Sequence, residues 1–293
     1  MKKTAAVIVT YNRKELLSKC LEHLRIQTVP LDVLVIDNAS TDGTWELFQN
    51  PDAGILYYNT GENLGGAGGF NFGIRKAVEL GYDFLWVMDD DTMPNQTAHE
   101  KFIEADKRLQ GQYGFLSGKV LWKDGSICVM NEQKIPKWKR ISDFDKEQKI
   151  QYASFVSLFM RSEMVKTVGL PYKDFFIWAD DWEYTRRISK NNACYYEPES
   201  IVHHYCVSNV GADIINAPKD RIDRFKYMYR NDVCLYRLDG FEGKLYLFVR
   251  TILHTIRIVI KADYKKEKLR IMFKSLKEGK SFKPEIEFVG DEK

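Results

Sequence analysis

Three aspartates, Asp89, Asp90 and Asp91, stand directly behind the apolar run Leu85-Trp86-Val87-Met88. Adjacent carboxylates at the end of a buried strand repel one another unless a cation or a dipole neutralises them, so a metal site competes here with a solvated loop. Hard oxygen donors suit Mg²⁺ or Mn²⁺, ions that keep open positions for substrate phosphates. Asp89 and Asp91 are separated by one residue, and the backbone decides whether both reach one ion.

A second acidic cluster, Asp180, Asp181 and Glu183, sits among Phe175, Phe176, Trp178 and Trp182. Aromatic walls desolvate a carboxylate and raise its pKa, which suits a general base acting on a sugar hydroxyl. Acids favoured by the dipole of a helix start are the plainer reading. Trp178 and Trp182 offer flat apolar platforms for a ligand ring, or else pack a core. His203 and His204 are neighbours on a strand-like segment, so they face opposite ways and at most one enters a site. The glycine-rich stretch at 63–73 (NLGGAGGFNFG) fits neither the dinucleotide fingerprint nor the P-loop pattern. Its amides ahead of a helix can still hold a pyrophosphate or let a ligand approach the backbone.

The elements that position these residues alternate. Residues 5–10 and 33–37 are short β-branched runs, and 13–26 between them carries Leu16, Leu17, Leu21 and Leu24 at helical spacing. Asp42 can cap a helical segment at 44–49, and 55–59 reads as a strand. A helix opens within 65–73 and runs through Leu80, and 82–88 is the next buried strand. Such alternation implies a mostly parallel α/β sheet that binds ligands outside the carboxyl ends of its strands, where Asp37 and Asp89–Asp91 fall. Beyond Gly118 the pattern loosens into strand-like pieces at 118–122, 126–130 and 193–196, with a turn at 197–200. Residues 131–150 read as a mobile loop between them and the apolar run 153–160. Residues 219–238 and 245–261 read as amphipathic helices, the second interrupted by Lys244, Arg250, Arg257 and Lys261 too often for a membrane span.

Composition sets outer limits. The 293 residues, 44% hydrophobic and 29% charged, suit one large α/β unit with an appendage. The apolar run after Met1-Lys2-Lys3 ends too early, at Asn12-Arg13-Lys14-Glu15, for a signal peptide and reads as a first strand. Five cysteines without C-x-x-C spacing argue against a zinc site and a disulfide framework, and point to a reducing cytoplasm. The net charge of +3 is uneven: 19 Lys and Arg against 12 Asp and Glu from Lys219 onward leave +7 there and −4 before it. A basic tail can face nucleic acid, anionic lipid or water.

Taken in order, VIVTYNR (7–13), VIDNASTDGT (35–44), NLGGAGGF (63–70), MDDDT (88–92) and WADDWEYTRR (178–187) strongly resemble nucleotide-sugar-dependent glycosyltransferases of family 2. The resemblance covers roughly residues 4–210. It implies a GT-A fold, a Rossmann-like mixed, mostly parallel sheet flanked by helices, here with a C-terminal helical extension. The implied division is a catalytic part at 1–218, with a nucleotide-sugar half (1–118) and an acceptor half (119–218), followed by a basic helical extension at 219–293. By resemblance, Thr10, Tyr11 and Asn12 sit by the nucleoside, Asp37 hydrogen-bonds uracil or thymine, and Asn63 and Gly65 lie near the diphosphate. Asp90 joins this nucleotide-binding set. Asp89 and Asp91 match the D-x-D pair that bridges a divalent metal to both phosphates. His204, favoured over His203, matches its third ligand, and Asp181 matches the base. Asp180 falls with Trp178 and Trp182 on the acceptor side. The motif combination is most like bacterial galactofuranosyltransferases using UDP-galactofuranose, and rhamnosyltransferases using dTDP-rhamnose share nearly all of it. Ala179, between Trp178 and the acids, departs from the galactofuranosyl polymerases, as does the lack of a large N-terminal β-domain.

The resemblance, together with the two acidic clusters, implies an inverting, metal-assisted transfer to a glycan or lipid-linked glycan in surface polysaccharide synthesis. A nucleotidyltransferase lacks its glycine- and lysine-rich signature here. A sugar-nucleotide or glycan-binding module is the non-catalytic rival, and nucleic acid is disfavoured by an acidic pocket. The tail suits docking on the inner face of the cytoplasmic membrane, with helix pairing into a homo-oligomer as the competing use.

Overall fold

The computed structural model describes residues 2–50 and 54–290. Met1 of the N-terminal run and Asp291–Lys293 of the basic tail lie outside the described residues. The first half alternates as its apolar periodicity requires: β1 (Thr4–Thr10), α1 (Lys14–Arg25), β2 (Asp32–Asp37), β3 (Ile55–Asn59), α2 (Gly65–Glu79), β4 (Phe84–Asp89), β5 (Thr92–Pro94) and α3 (Ala98–Arg108). A 3₁₀ turn, Thr44–Phe48, follows Asp42, whose Oδ1 accepts from the Thr44 N–H at 3.1 Å. Then come β6 (Leu116–Trp122), β7 (Lys134–Ile135), β8 (Lys139–Arg140), β9 (Gln148–Lys149), β10 (Leu158–Arg161), α4 (Ser162–Val168), α5 (Asp180–Ser189) and β11 (Tyr195–His204). Three helices close the chain: α6 (Phe225–Arg237), α7 (Gly240–Lys261) and α8 (Lys265–Ser281).

Among the described residues, nine strands form one mixed sheet in the order β3-β2-β1-β4-β10-β6-β11-β5, with β9 also on β11. β3, β2, β1 and β4 are parallel, and β10 runs against β4 and β6. Both faces are covered, which explains why the strands read as unbroken apolar runs. Ala5, Val7 and Val9 pack with Phe70 and Ile74 of α2 on one face. Ala6 and Ile8 pack with Leu17 and Leu21 of α1 and Phe102 of α3 on the other. Gly69 lets α2 lie close, since a Cβ there would stand 2.5 Å from Val9 Cγ1. A separate core of Ile214, Ile222, Met228, Ile258 and Met272 joins α6, α7 and α8.

Three sequence expectations are corrected. Residues 126–130 form an isolated bridge, Ile127 with Leu121, and then a 3₁₀ turn at Val129–Asn131, because the Asn131 N–H bonds back to the Cys128 carbonyl. Residues 131–150 are not a featureless loop: β7 and β8 make a hairpin and β9 joins the main sheet. Their polar side chains are anchors, as with buried Gln133, which donates to Ser117 Oγ and the Gly118 carbonyl. The turn expected at 197–200 is a bulge inside β11, where the register shifts between Glu197 and Ile201. The tail also holds α8, which sequence periodicity did not single out, and 219–224 is a 3₁₀ segment ahead of α6. No helix among the described residues is long and apolar enough to cross a membrane.

Candidate functional site

Parallel pairing of β1 with β2 and β4 brings three strand ends to one edge, with Thr10 opposite Asp37 and Val9 opposite Asp89. Asp37 is fully buried; its oxygens accept from the Ser40 N–H at 2.9 Å and the Tyr57 hydroxyl at 2.6 Å. Burial and that bond push the Tyr57 phenol up to about 12. Asn12 takes a left-handed φ of 54°, donates its N–H to Ser40 Oγ and accepts from the Thr41 N–H, leaving Tyr11 exposed at the rim. Asn63 Oδ1 accepts from the Gly65 N–H at 2.9 Å. Gly65 has φ +70°, and a Cβ on it would stand 2.1 Å from the Phe176 carbonyl oxygen, so only glycine fits.

After β4 the chain turns through Asp90 and Asp91 into β5, which pairs antiparallel with β11 so that Thr92 lies opposite His204. This brings His204 Nε2 to 3.0 Å from Asp91 Oδ1. Asp89, Asp91 and His204 each offer a ligand atom, all within 4.8 Å of one another. His203, one residue earlier, is not part of that cluster. Asp90 turns away to accept from Thr10 Oγ1 at 2.7 Å and Arg13 at 3.2 Å, while the same guanidinium reaches Asp91 Oδ2 at 2.8 Å. Burial, assisted by the Asp91 charge, lifts Asp89 to about 6; burial also lifts Asp90 to about 7 despite Arg13. Burial pushes Asp91 the same way, but the His204 contact outweighs it and holds Asp91 below the usual range. On its far side, His204 Nδ1 lies 2.8 Å from Asn131 Oδ1, which orients the ring.

The second acidic cluster opens α5. Ahead of it, Phe176, Trp178 and Ala179 all have positive φ (64°, 67° and 66°), and the Ile177 N–H bonds to the Phe175 carbonyl at 2.7 Å in a γ-turn about Phe176. Non-glycine residues there cost on the order of 1–3 kcal/mol each. Asp180 is buried and Asp181 half-buried in the first turn of α5. Burial raises Asp180 to about 7, and burial with the Asp180 charge raises Asp181 well above an ordinary carboxylate. Lys134 of β7 sits 3.4 Å from the Trp182 ring centroid, its amine pushed down to about 8 by burial and by Arg250 and Arg140.

One cavity of about 490 Å³ joins the clusters: Asp89 and His204 line it together with Trp178, Asp180, Asp181 and Trp182. Gly66 and Phe70 of α2 also line it, together with Asn131, Lys134, Asp232 and Arg250. Thr10, Asn12, Asp37 and Asn63 are not among its lining residues; they stand beside it at the ends of β1 and β2 and ahead of α2. Sequence reasoning did not single out Arg13, Asn131, Lys134, Asp232 or Arg250. Arg13 lies in the VIVTYNR motif and could have been found there, whereas Asn131 and Lys134 fell in the presumed loop.

An open sheet with carboxylates at its strand ends and a second acidic cluster across one cavity defines a GT-A-type transferase architecture. Residues 5–169 match the family described as Glycosyl transferase family 2, and the protein belongs to that family. Galactofuranosyltransferase GlfT1 of Mycolicibacterium smegmatis is 27% identical over 196 residues, 64% of this chain and 65% of that protein. GlfT1 of Mycobacterium tuberculosis is 38% identical over 89 residues, 29% of each chain. The undecaprenyl-phosphate mannosyltransferase of Micrococcus luteus is 36% identical over 104 residues, 34% of this chain and 42% of that one. The chain thus spans less than two thirds of the length of these relatives. Staphylococcus aureus TarS residues 1–349, solved with UDP, superposes with a TM-score of 0.57 at 15% identity, covering 96% of this chain and 72% of that one, which shows the shared fold.

Proposed function

We propose that this glycosyltransferase moves galactofuranose from UDP-galactofuranose to a hydroxyl of a glycan or lipid-linked glycan, with divalent metal and inversion at the anomeric carbon. Support comes above all from the one cavity that Asp89, His204 and Asp181 line together. The galactofuranosyltransferase relatives support the sugar, and the UDP complex of TarS supports a nucleotide donor. Two carboxylates and an imidazole within 4.8 Å fit a Mn²⁺ or Mg²⁺ ion, with Asp89, Asp91 and His204 as its holders. When bound, such an ion stabilises charge developing on the leaving diphosphate. Asp37 holds the base, and Thr10, Tyr11, Asn12, Asn63 and Gly65 frame the rest of the nucleotide. Asp90 orients Arg13 and Thr10 beneath it. Asp181, its proton affinity raised by burial, takes the proton of the acceptor hydroxyl as that oxygen attacks. Trp178, Asp180 and Trp182 hold the acceptor.

The test is a thermal-shift ranking of UDP, dTDP, UDP-galactofuranose and dTDP-rhamnose, each with Mn²⁺ and with EDTA, followed by product analysis with a model acceptor. A donor stabilises the folded state by mass action. The expected result is a metal-dependent shift largest for UDP-galactofuranose; a larger shift with dTDP-rhamnose makes the chain a rhamnosyltransferase.

For the acceptor's location we propose an anionic bilayer surface as the partner of α7. Phe241, Leu245, Phe248, Val249, Ile252, Leu253, Ile256, Val259 and Ile260 are all exposed. At 3.6 residues per turn, with Tyr246 they cover a stripe about 160° wide, broader than the seam of a paired coiled coil. Lys244 borders one side, Arg257 and Lys261 the other, and no acid occurs between Gly243 and Ala262. Arg250 of the same helix lines the cavity, so a docked α7 brings the site to the lipid face. Flotation with vesicles containing phosphatidylglycerol at low salt tests this; protein that stays unbound and dimerises would assign the face to a second copy.

A further inference from the structure

The strained loop ahead of Asp181 is not held by the catalytic sheet alone. Asn231, in the middle of α6, is fully buried, and its Nδ2 donates to three carbonyls: Phe175 at 3.0 Å, Ile177 at 3.1 Å and Trp178 at 2.9 Å. Its neighbour Arg230 donates to the Asp174 carbonyl at 2.6 Å and the Phe175 carbonyl at 3.2 Å. Arg230 Nε also donates to Asn231 Oδ1 at 3.0 Å, which settles which way the amide points. From the opposite side, the Ala67 N–H of α2 takes the Phe176 carbonyl at 3.1 Å, and the Ala179 carbonyl accepts the first turn of α5 through Glu183. Every carbonyl from Asp174 to Ala179 is therefore bound, and three of those six bind Asn231.

We propose that Asn231 is a positioning residue for transfer: it holds the backbone of Phe175–Ala179 in its left-handed turns and thereby sets where Trp178 and Asp181 face the cavity. The inference rests on reading Asp181 as the base. Three carbonyls converging on one point repel one another unless a donor sits between them, and no water-sized alternative supplies two N–H bonds on a rigid stem. Without that amide the carbonyls of Phe175, Ile177 and Trp178 lose this donor, fewer bonds hold Phe176, Trp178 and Ala179 at positive φ, and the loop relaxes toward ordinary backbone. Asp181 begins two residues beyond that loop, so a relaxation there carries the base away from the acceptor oxygen. The donor side has no such dependence, because Asp89, Asp91 and His204 are placed by sheet pairing. Both the loop and Asn231 lie outside residues 5–169, so the clamp belongs to this chain's own second half and tail rather than to the matched family region.

Asn231→Ala is compared with Ile258→Ala, a fully buried change in the same helical core whose side chain is not among the cavity's lining residues and makes no hydrogen bond to the loop. Expected for Asn231→Ala is an unchanged UDP affinity with Mn²⁺ and a kcat lower by about 10²-fold, the scale of an ångström of misplacement. Ile258→Ala, at a similar loss of Tm, keeps kcat within about twofold. Deuterium uptake reads the clamp without turnover: amides 175–182 exchange faster in Asn231→Ala and not in Ile258→Ala. Should Asn231→Ala not fold, Arg230→Met removes the outer carbonyl bonds and gives the same split at smaller size. A kcat close to wild type in Asn231→Ala, equal losses in both variants, or unchanged exchange over 175–182 overturns the proposal. A wild-type protein without transfer from any donor overturns the glycosyltransfer reading instead, and the exchange experiment still decides whether the clamp holds the loop.

Discussion

The two sides of the site are built in opposite ways. The proposed donor side, with Asp89 in the cavity and Asp37 and Thr10 beside it, comes from neighbouring parallel strands whose ends coincide, so these residues are placed by ladder register. The proposed acceptor side gathers a γ-turn loop, Lys134 and Arg140 of a short hairpin and two C-terminal helices, held by side chain to backbone bonds and by the half-buried Arg250–Asp232 pair. A wall made by a regular sheet tolerates change away from the strand ends; one made by convergent side chains fails when a single partner goes.

Asp181→Asn probes the acceptor wall most severely. Transfer should fall by about 10²–10⁴-fold while Mn²⁺-dependent UDP binding stays at the wild-type value, because the role proposed for the lost group is that of a base and not of a nucleotide ligand. The same variant should melt higher at pH 7. Asp180 and Asp181 both have raised pKa values in the fold, so the folded state binds protons that the unfolded chain has released between about pH 4 and 7. Wild-type stability therefore rises as pH falls through that window, and the asparagine removes part of that slope. Turnover moves the other way, declining as Asp181 is protonated nearer neutrality than an ordinary aspartate.

Asp91→Ala tests the donor wall. The UDP thermal shift with Mn²⁺ should drop to its value in EDTA and turnover should fall by about 10²-fold, with no change in α5 exchange. Gly65→Ala tests the seam between the walls, where the added methyl meets the Phe176 carbonyl; a loss of about 1–3 kcal/mol and a lower Tm are expected. The smallest effect on chemistry should come from replacing Phe248 and Leu253 with glutamate. Vesicle binding disappears, while transfer to a water-soluble acceptor is retained. Loss of soluble activity in that variant would mean that α7 shapes the cavity more than it docks.

Legibility followed the same division. Strands and helices through Asp89 were readable because each has a single apolar period and two covered faces. The acid clusters were readable because carboxylates behind apolar runs are unusual in any context. Residues 131–150 were misread because polarity alone signals a loop, whereas Gln133 and Asn131 are buried and bonded, and nothing local reports a distant partner. Asn231 likewise looks like any polar residue on an amphipathic helix.

The amino-acid sequence by itself determined the alternating α/β order, the two acidic clusters and their family resemblance, since these depend on spacing within short windows. Tertiary structure alone decided that Asp90 turns to Arg13 and that the C-terminal helices line the cavity, and it set His204, which the resemblance had favoured over His203, beside Asp91. Those outcomes depend on strand register and on hydrogen bonds between residues far apart in the chain, such as Asn231 and Trp178, which no local pattern encodes.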